Sequence, residues 1–372
     1  MMRLARSVAG LVVLWLGISS PLALAEPPSK ESLFNDWSFS RADFIQALAV
    51  VKHPAANQAF RAFYRRPAVA PPPRQHFKHE ARLLALGQLL FQDPLLSRER
   101  NFACISCHKP EKFWIDGRAQ SIEGNGRRSM SLENLAWDRA FTWNGRAGSV
   151  ASQSVLALGA PMAMRMSPAE LQERLKSDQR YNSRFREAFG DDLPADAAFS
   201  ADAVVMAIEY YVNSIVTPIG PFDRWVGGEE KAISDSAKRG FGLFNSKARC
   251  AFCHNSWRFS DGQVYDIGLG GILPGHEAGT AVVRDLPFHF KAVGLRNIAN
   301  RPPYMHDGRF SSLAAVIAFY DRGGDIARPS KSPFIQPIGL SDEEKRDLEE
   351  FLKALSGPPF DAPQFRRNNL RP

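Results

Sequence analysis

The pentapeptides CISCH at residues 104–108 and CAFCH at residues 250–254 decide what this chain folds around. Both are Cys-x-x-Cys-His motifs, and together they use all 4 cysteines of the 372-residue sequence. This spacing is the attachment signature of c-type haem, in which two thiols add to the porphyrin vinyl groups and the next histidine ligates the iron. We therefore predict two covalently bound haem c groups. The predicted attachment residues are Cys104, Cys107 and His108 for the first haem, and Cys250, Cys253 and His254 for the second.

Other uses of four cysteines fit this pattern less well. Zinc sites built from paired Cys-x-x-Cys motifs usually lack a histidine directly after each second cysteine. A thioredoxin-like motif would lie in a βαβ pattern, which the sequence does not show. Two disulfides would use the same four thiols but do not require the two histidines. Haem attachment is therefore the favoured interpretation.

The N-terminus has the features of a secretory signal peptide. Arg3 and Arg6 precede an apolar stretch at residues 8–18, and Ala-Leu-Ala at residues 23–25 forms a cleavage site. The apolar stretch is short for a membrane span, and an uncleaved anchor is the alternative. We expect residues 1–25 to be removed and the mature protein to be periplasmic. Its contact with the membrane would then be through the signal peptide alone.

The chain is basic, with a formal net charge of +8 at pH 7. Basic runs interleaved with aromatic residues, which would indicate nucleic-acid binding, are not found in the sequence. Docking to an acidic redox partner is the better interpretation of the charge, and simple solubility is the alternative.

Apolar periodicity and chain breaks predict a mostly α fold with few strands. Residues 26–78 are expected to form an N-terminal extension that ends in a Pro-rich linker near residues 70–73. Two cytochrome c-like haem domains, at residues 79–220 and 221–372, should then pack against each other. Helices are predicted near residues 81–91, 149–158, 167–176, 201–216, 234–244, 311–320 and 341–355, and a Gly-rich excursion at 261–279.

Five further stretches, with the two motifs in this order, resemble the bacterial di-haem cytochrome c peroxidase and MauG superfamily. The resemblance covers roughly residues 81–355. The stretches are LGQLLF at 86–91, WNGRA at 143–147, LRNI at 295–298, PYMHDG at 303–308 and FYDRGG at 319–324.

The resemblance implies a role for each haem. The haem ligated by His108 would meet peroxide, and the haem ligated by His254 would handle electrons. Trp143 falls where the family places a tryptophan between the haems, although a core tryptophan is the alternative. Arg146 and Arg296, within the matching stretches, would contact the haem groups.

The resemblance also bears on the second axial ligand of each iron. Reductively activated peroxidases carry a dissociable histidine in the region that corresponds to residues 121–126, where this sequence has none. The first haem should therefore be open. For the second haem, the register gives Tyr320, as in MauG-type members, and a phenolate stabilises oxidised iron. A tyrosine that only packs is the alternative, and Met305 and Met130 are lesser candidates.

The sequence departs from the family at two sites. The distal pocket of the family has a glutamine, matched by Gln153, and a glutamate whose position is Ala163 here. A positioned general acid–base is typically worth about 10²–10⁴-fold in rate, so efficient peroxide cleavage is in question. The family also binds calcium at positions that correspond to Arg128, Arg301 and Pro303. Because Arg128 cannot be a calcium ligand, calcium binding stays open.

These observations predict an enzyme that uses hydrogen peroxide to oxidise an electron donor, in a MauG-like mode. The donor would be a periplasmic redox protein: a small cytochrome, a cupredoxin or a protein substrate. A cytochrome c peroxidase that removes peroxide with a small cytochrome is the first alternative. A non-enzymatic electron carrier or redox sensor is the second.

Overall fold

The computed structural model describes residues 41–68, 76–122, 126–194, 197–270 and 288–359. The predicted signal peptide, the start of the extension and the Pro-rich linker lie outside these residues. So do residues 123–125 and residues 271–279 of the Gly-rich excursion.

Helices dominate the described residues, which confirms the mostly α prediction. The α-helices are α1 (Arg41–Val50), α2 (Gln58–Arg61), α3 (Glu80–Gln92), α4 (Cys104–Cys107), α5 (Val150–Leu158), α6 (Pro168–Ser177), α7 (Gln179–Phe189), α8 (Ala201–Asn213), α9 (Pro221–Val226), α10 (Asp235–Phe244), α11 (Leu313–Asp321) and α12 (Asp342–Ala354). Short 3₁₀ turns lie at Ala62–Tyr64, Pro94–Leu96, Pro110–Lys112, Leu135–Trp137, Gly190–Asp192, Ala197–Phe199, Cys250–Phe252 and Ile298–Asn300. Strands β1 (Val264–Asp266) and β2 (His289–Lys291) form one antiparallel pair.

Serine N-caps fix where several helices begin. The Ser149 hydroxyl accepts a hydrogen bond from the backbone N–H of Ser152 at the start of α5. Ser167 does the same for α6, where Pro168 occupies the first helical position. Ser341 and Glu344 form a reciprocal capping box on α12. Each cap satisfies a backbone N–H that has no partner inside the helix, so these starts are encoded locally.

The first hydrophobic core lies around the crossing of α3 and α8. Gly87 on α3 lies so close to α8 that an added Cβ would be 1.9 Å from the carbonyl oxygen of Ala207. It would also be 2.9 Å from Cβ of Tyr211, one turn later. Only glycine allows this approach, which places α3 directly before the segment that carries the first motif.

The second hydrophobic core repeats this crossing with α10 and α12. A Cβ at Gly240 on α10 would be 1.9 Å from the carbonyl oxygen of Asp347 and 2.7 Å from Cβ of Phe351. The core beside it is aromatic, with Phe222, Phe241 and Phe351 packed ring to ring. Each motif therefore follows a helix that crosses a late helix of the same core through a glycine.

The described part of the N-terminal extension packs against the second core, although it precedes the first in sequence. Phe44, Phe60 and Tyr64 are buried in this core. The Tyr64 hydroxyl donates a hydrogen bond to Oδ1 of Asn245, and the Arg61 guanidinium lies 4.6 Å from the Trp225 ring centre. The sequence predicted an N-terminal extension here but not the surface that it covers.

Within the described part of the chain, none of the helices has the length and apolar character needed to cross a membrane.

The two glycine crossings can be tested by alanine substitution. Gly87→Ala or Gly240→Ala puts a methyl group against a backbone carbonyl that cannot rotate away. We expect each change to destabilise the protein by at least about 1–3 kcal/mol, the usual cost of overpacking. Thermal unfolding of the haem-loaded protein, followed by circular dichroism, measures the effect.

Gly242→Ala is the matched control, because it lies on the same helix as Gly240 and no heavy atom lies within 4 Å of its added Cβ. There alanine should be neutral or stabilising by about 0.5–1 kcal/mol. Equal unfolding temperatures for the Gly240→Ala and Gly242→Ala proteins would contradict the close crossing.

Candidate haem centres and their junction

The first motif holds its histidine in one orientation. Cys104 and Cys107 lie on the single turn of α4, and Nδ1 of His108 is 3.1 Å from the carbonyl oxygen of Trp114. Left-handed backbone at Phe113 and Trp114, with φ of 54° and 64°, turns this carbonyl back towards the histidine. Since a carbonyl oxygen only accepts, Nδ1 carries the proton and Nε2 is left for a metal. Burial lowers the pKa of His108, which favours the neutral ligand form.

The second motif has the same arrangement. Cys250 begins a 3₁₀ turn, and Nδ1 of His254 is 2.9 Å from the carbonyl oxygen of Phe259. Phe259 again has left-handed backbone, with φ of 56°. Burial lowers the pKa of His254 as well. Both histidines are thus oriented by a carbonyl a few residues later in the chain, as metal-bound histidines usually are.

The four thiols are not joined in disulfides. Burial raises the pKa of Cys104 and of Cys250 to about 12, so neither is a reactive thiolate at neutral pH. Thiols that form no disulfide, beside an oriented histidine, suit covalent attachment to a group that fills the space next to them.

A large apolar cavity lies against the second motif. Its empty volume is about 1490 Å³, which includes the part that is open to solvent. Cys250, Cys253 and His254 line it, together with mostly aliphatic and aromatic side chains. The thiols, the oriented histidine and an apolar space of this size fit a haem group.

Tyr320, on α11, lines the same cavity. Its hydroxyl makes no hydrogen bond with any of the described residues. A buried tyrosine that only packs usually has such a partner, so this observation favours a ligand role over packing. Burial raises its pKa, and the thiols of Cys253 and Cys250 add to the shift. Met305 lines this cavity too, whereas Met130 lines the neighbouring one.

Trp143 lies where the two halves of the chain meet. Its indole Nε1 donates to the carbonyl oxygen of Arg128 at 2.8 Å, and its own carbonyl accepts from the N–H of Lys291 at 2.7 Å. The indole faces the His306 ring edge-on at 6.4 Å, and that ring stacks on Phe290 at 3.7 Å. Trp143 lines both the cavity of the second motif and a smaller cavity at this junction.

The junction cavity has an empty volume of about 650 Å³ and an excess of positive charge. Five basic and two acidic side chains line it: Arg128, Arg258, Lys291, Arg296 and Arg301 against Glu133 and Asp138. Buried Nε atoms of Arg258 and Arg301 have no hydrogen-bond partner. Haem carries anionic propionate groups, and these unpaired donors fit such anions.

Buried ion pairs hold these cations in place. Asp138 binds Nη1 of Arg258 and Nζ of Lys291, each at 2.7 Å. Burial acts to raise the pKa of Asp138, but its two basic partners lower it overall. Sequence patterns did not indicate this cluster, because Asp138, Arg258 and Lys291 are far apart in the chain and lie outside the motifs.

Arg296 and Glu133 complete the buried charges. Nε of Arg296 donates to the carbonyl oxygen of Trp257 at 2.7 Å, and its Nη2 is 2.9 Å from Asp223. Burial raises the pKa of Glu133 to about 7, against the opposing effects of Arg301 and a 2.6 Å hydrogen bond from Asn297. Glu133 therefore titrates near neutral pH, which the sequence did not indicate.

Gln153, Arg146 and Ala163 belong to the segment around α5. Oε1 of Gln153 is buried and accepts no hydrogen bond from the described residues, which leaves it available to a polar ligand. The N–H of Arg146 donates to Oγ1 of Thr142 at 3.2 Å, which shapes the turn before α5. Ala163 is half-buried in the loop after α5 and packs against the first core.

One carboxylate does reach α5. Oε1 of Glu209, on α8, lies 3.4 Å from the backbone N of Ala151. Glu209 was not among the residues predicted from the sequence. It places a carboxyl group near this helix, where Ala163 supplies none.

The positions implied for calcium do not suit a calcium ion. The Arg128 guanidinium donates to the carbonyl oxygens of Pro303 and, at 3.0 Å, of Arg301. Those two carbonyls are the ligands that the resemblance offers, and a cation already occupies them.

Comparison with known proteins shows which family this chain resembles. The family described as di-haem cytochrome c peroxidase matches residues 81–231. The chain is 40% identical over 308 residues to the methylamine utilization protein MauG of Methylorubrum extorquens, covering 81% of this chain and 85% of that protein. It is 33% identical over 313 residues to the cytochrome-c peroxidase IdrP1 of a Pseudomonas species, covering 74% of this chain and 81% of that protein.

A solved structure agrees. The crystal structure of a MauG-like protein associated with microbial copper homeostasis has a TM-score of 0.68 and 29% identity, covering 78% of this chain and 95% of that one. The two-unit, mostly α fold predicted from the motifs is thereby confirmed. This chain belongs to the di-haem cytochrome c peroxidase and MauG superfamily of peroxide-using oxidoreductases.

Proposed function

We propose that this chain is a periplasmic, MauG-like enzyme in which Tyr320, together with His254, would bind the iron of the C-terminal haem. The observation that carries the proposal is the Tyr320 side chain, which lines the cavity of His254 and has no hydrogen-bond partner among the described residues. Several relatives are named as cytochrome c peroxidases, which implies a cytochrome as the electron donor. A tyrosine-ligated second haem instead favours storing oxidising equivalents for a protein-borne donor.

Each haem c, when bound, supplies an iron that reacts with peroxide or passes electrons. The protein orients the histidines that would bind the iron. The carbonyls of Trp114 and Phe259 hold the proton on Nδ1 of the two histidines, so that Nε2 points to the metal. Tyr320 is a neutral phenol in the protein alone, because burial raises its pKa. A bound ferric iron would favour loss of that proton, since metals invert the local pKa order.

Residues of the first unit would handle peroxide and its protons. Gln153 has a buried, unpaired oxygen that could accept a hydrogen bond from peroxide. Ala163 offers no carboxylate, so proton transfer between the two peroxide oxygens would be slow unless Glu209 or water takes part. Trp143 lines the cavity of the second motif and the junction cavity, and would relay electrons between the two units.

Periplasmic location and covalent attachment rest on the sequence. A c-type haem is attached outside the cytoplasmic membrane, and the N-terminus has the features of an export signal. The net charge of +8 suits an acidic partner, whether a small cytochrome, a cupredoxin or a protein substrate. The relatives named as peroxidases keep a cytochrome c peroxidase as the second candidate function. The non-enzymatic alternative is set aside, since the relatives are peroxide-using enzymes.

Haem content tests the foundation of the proposal. The mature protein purified from periplasm should exceed the mass of the chain from Glu26 onward by two haem masses, because both motifs attach the cofactor covalently. Intact-mass spectrometry measures this, and acid–acetone should not extract the colour. A colourless protein carrying zinc would reject the proposal.

Tyr320→Phe tests the ligand. Loss of a phenolate should change the low-spin ferric signal and raise the potential of the second haem by about 0.1 V or more, within the roughly 0.8 V that axial ligands span. Electron paramagnetic resonance and redox titration measure both. Tyr320→Met should give a readily reducible second haem, as in the peroxidases.

Tyr304→Phe is the matched control, because Tyr304 lines the same cavity and its hydroxyl lies 3.5 Å from a backbone carbonyl, that of Ala299. This variant should keep the wild-type signal. A Tyr320→Phe protein with an unchanged spectrum and potential would show that Tyr320 only packs.

Ala163→Glu tests the distal pocket. If proton transfer limits the reaction, a carboxylate here should accelerate peroxide consumption by up to about the 10²–10⁴-fold of a general acid–base. Stopped-flow mixing with hydrogen peroxide measures the rate. Ala163→Gln has the same size without the acid and should not accelerate it.

A wild-type protein that already reacts as fast as the Ala163→Glu variant would contradict this assignment. In that case Glu209→Gln should slow the reaction, which would identify the carboxylate on α8 as the acid.

A further inference from the structure

Arg128 makes four hydrogen bonds that join distant parts of the chain. Its backbone N–H donates to the carbonyl of His306 at 2.8 Å, and its carbonyl accepts from the Trp143 indole at 2.8 Å. Its guanidinium donates to the carbonyls of Arg301 and Pro303. Arg128 therefore holds two parts of the chain at the cavity of the second haem. One is Trp143, and the other is the segment that contains Met305 and His306.

The guanidinium is a buried cation at neutral pH. Arg128 is 8% exposed. Burial lowers its pKa to about 10, and the nearby Arg301 charge adds to the shift, while Asp116 opposes it. The group still keeps its proton at pH 7.

Asp116 supplies a buried counter-charge to this guanidinium. Its carboxylate is 2% exposed, and its Oδ1 accepts from Oγ of Ser129 at 2.9 Å. The other oxygen, Oδ2, is buried and has no hydrogen-bond partner. The site thus offers two carbonyls and a carboxylate, an oxygen set that would suit a hard cation if the guanidinium were absent.

We propose that the Arg128 guanidinium is a resident cation that takes the place of calcium at the junction of the two haem units. A metal would have to displace a tethered charge from both carbonyls and would then face the buried Arg301. Arg128 is a positioning residue: it holds Trp143 and the 303–306 segment, and it makes their arrangement independent of calcium. This inference concerns the junction alone and stands whether or not Tyr320 ligates the second haem.

Three proteins test it in their haem-loaded form: wild type, Arg128→Asn and Arg128→Lys. The wild type should contain no stoichiometric calcium by elemental analysis, and EGTA should not change its unfolding temperature. Asparagine supplies a carbonyl oxygen and removes the charge, so Arg128→Asn should bind calcium. Its unfolding temperature should rise by roughly 5 °C in millimolar calcium and fall back with EGTA.

Arg128→Lys keeps a cation at this site, so its unfolding temperature should be insensitive to calcium. A merely structural role of the arginine would not require this insensitivity. Arg184→Asn is the matched control, because it removes the same charge and a 2.9 Å bond to the carbonyl of Arg180, on a helix away from the junction. It should show no calcium response. The low-spin signal of the second haem, recorded in parallel, should follow calcium only in Arg128→Asn.

One calcium per wild-type chain, removed by EGTA with a fall in unfolding temperature, would overturn the proposal. So would an Arg128→Asn protein that matches the wild type with and without calcium. If Arg128→Asn does not accumulate, the calcium content and EGTA response of the wild type and of Arg128→Lys decide the matter.

Discussion

The close helix crossing in each unit is the constraint from which the haem-binding geometry follows. Gly87 and Gly240 let backbone meet backbone, at a separation that excludes even a methyl group. Because the crossing fixes the helix that precedes each motif, the thiols and the histidine start from a rigid support. The left-handed residues after each motif then return a carbonyl to Nδ1, and one tautomer of each histidine is selected. The same solution appears twice, as expected of a duplicated unit.

The junction between the units obeys a different rule, which is set by charge. Five basic side chains line a cavity with two acidic ones, and the Asp138 carboxylate pairs with two of the cations. An uncompensated charge of this kind is costly when buried, so the arrangement makes sense only beside anions. Haem propionates are such anions. Without its cofactors, the protein is expected to be destabilised at the junction by these uncompensated positive charges. Arg128 differs from the other cations because its partners are carbonyls of the chain itself.

Local signals in the sequence predicted much of the fold. The Cys-x-x-Cys-His motifs, the apolar periodicity and the chain breaks predicted most of the helices and the plan of two haem units. They missed α7 and α9. The α7 segment is dominated by polar and charged residues, and α9 is a short helix in a stretch interpreted as a chain break. The pattern of a single segment does not record what packs on it from elsewhere in the chain.

The sequence named candidate site residues where a motif or a family register marks the position, as for His108, His254 and Trp143. It did not indicate properties that arise from contacts between distant residues. The neutral-range pKa of Glu133 arises from burial at the junction, and the Asp138 cluster joins residues more than a hundred positions apart. For Arg128, the sequence excluded a metal ligand but did not reveal that the side chain reaches the two carbonyls itself.

The packing of Phe44, Phe60 and Tyr64 on the second core has a consequence for how the protein matures. The last-made unit is closed by the first-made segment, so the chain returns upon itself across the entire first unit. During synthesis, the N-terminal segment leaves the ribosome long before its binding surface exists. Its aromatic side chains stay uncovered until the second unit has been made. The second unit is therefore completed only after the whole intervening chain has been made. In a protein truncated after the first unit, the N-terminal segment would have no core to pack against.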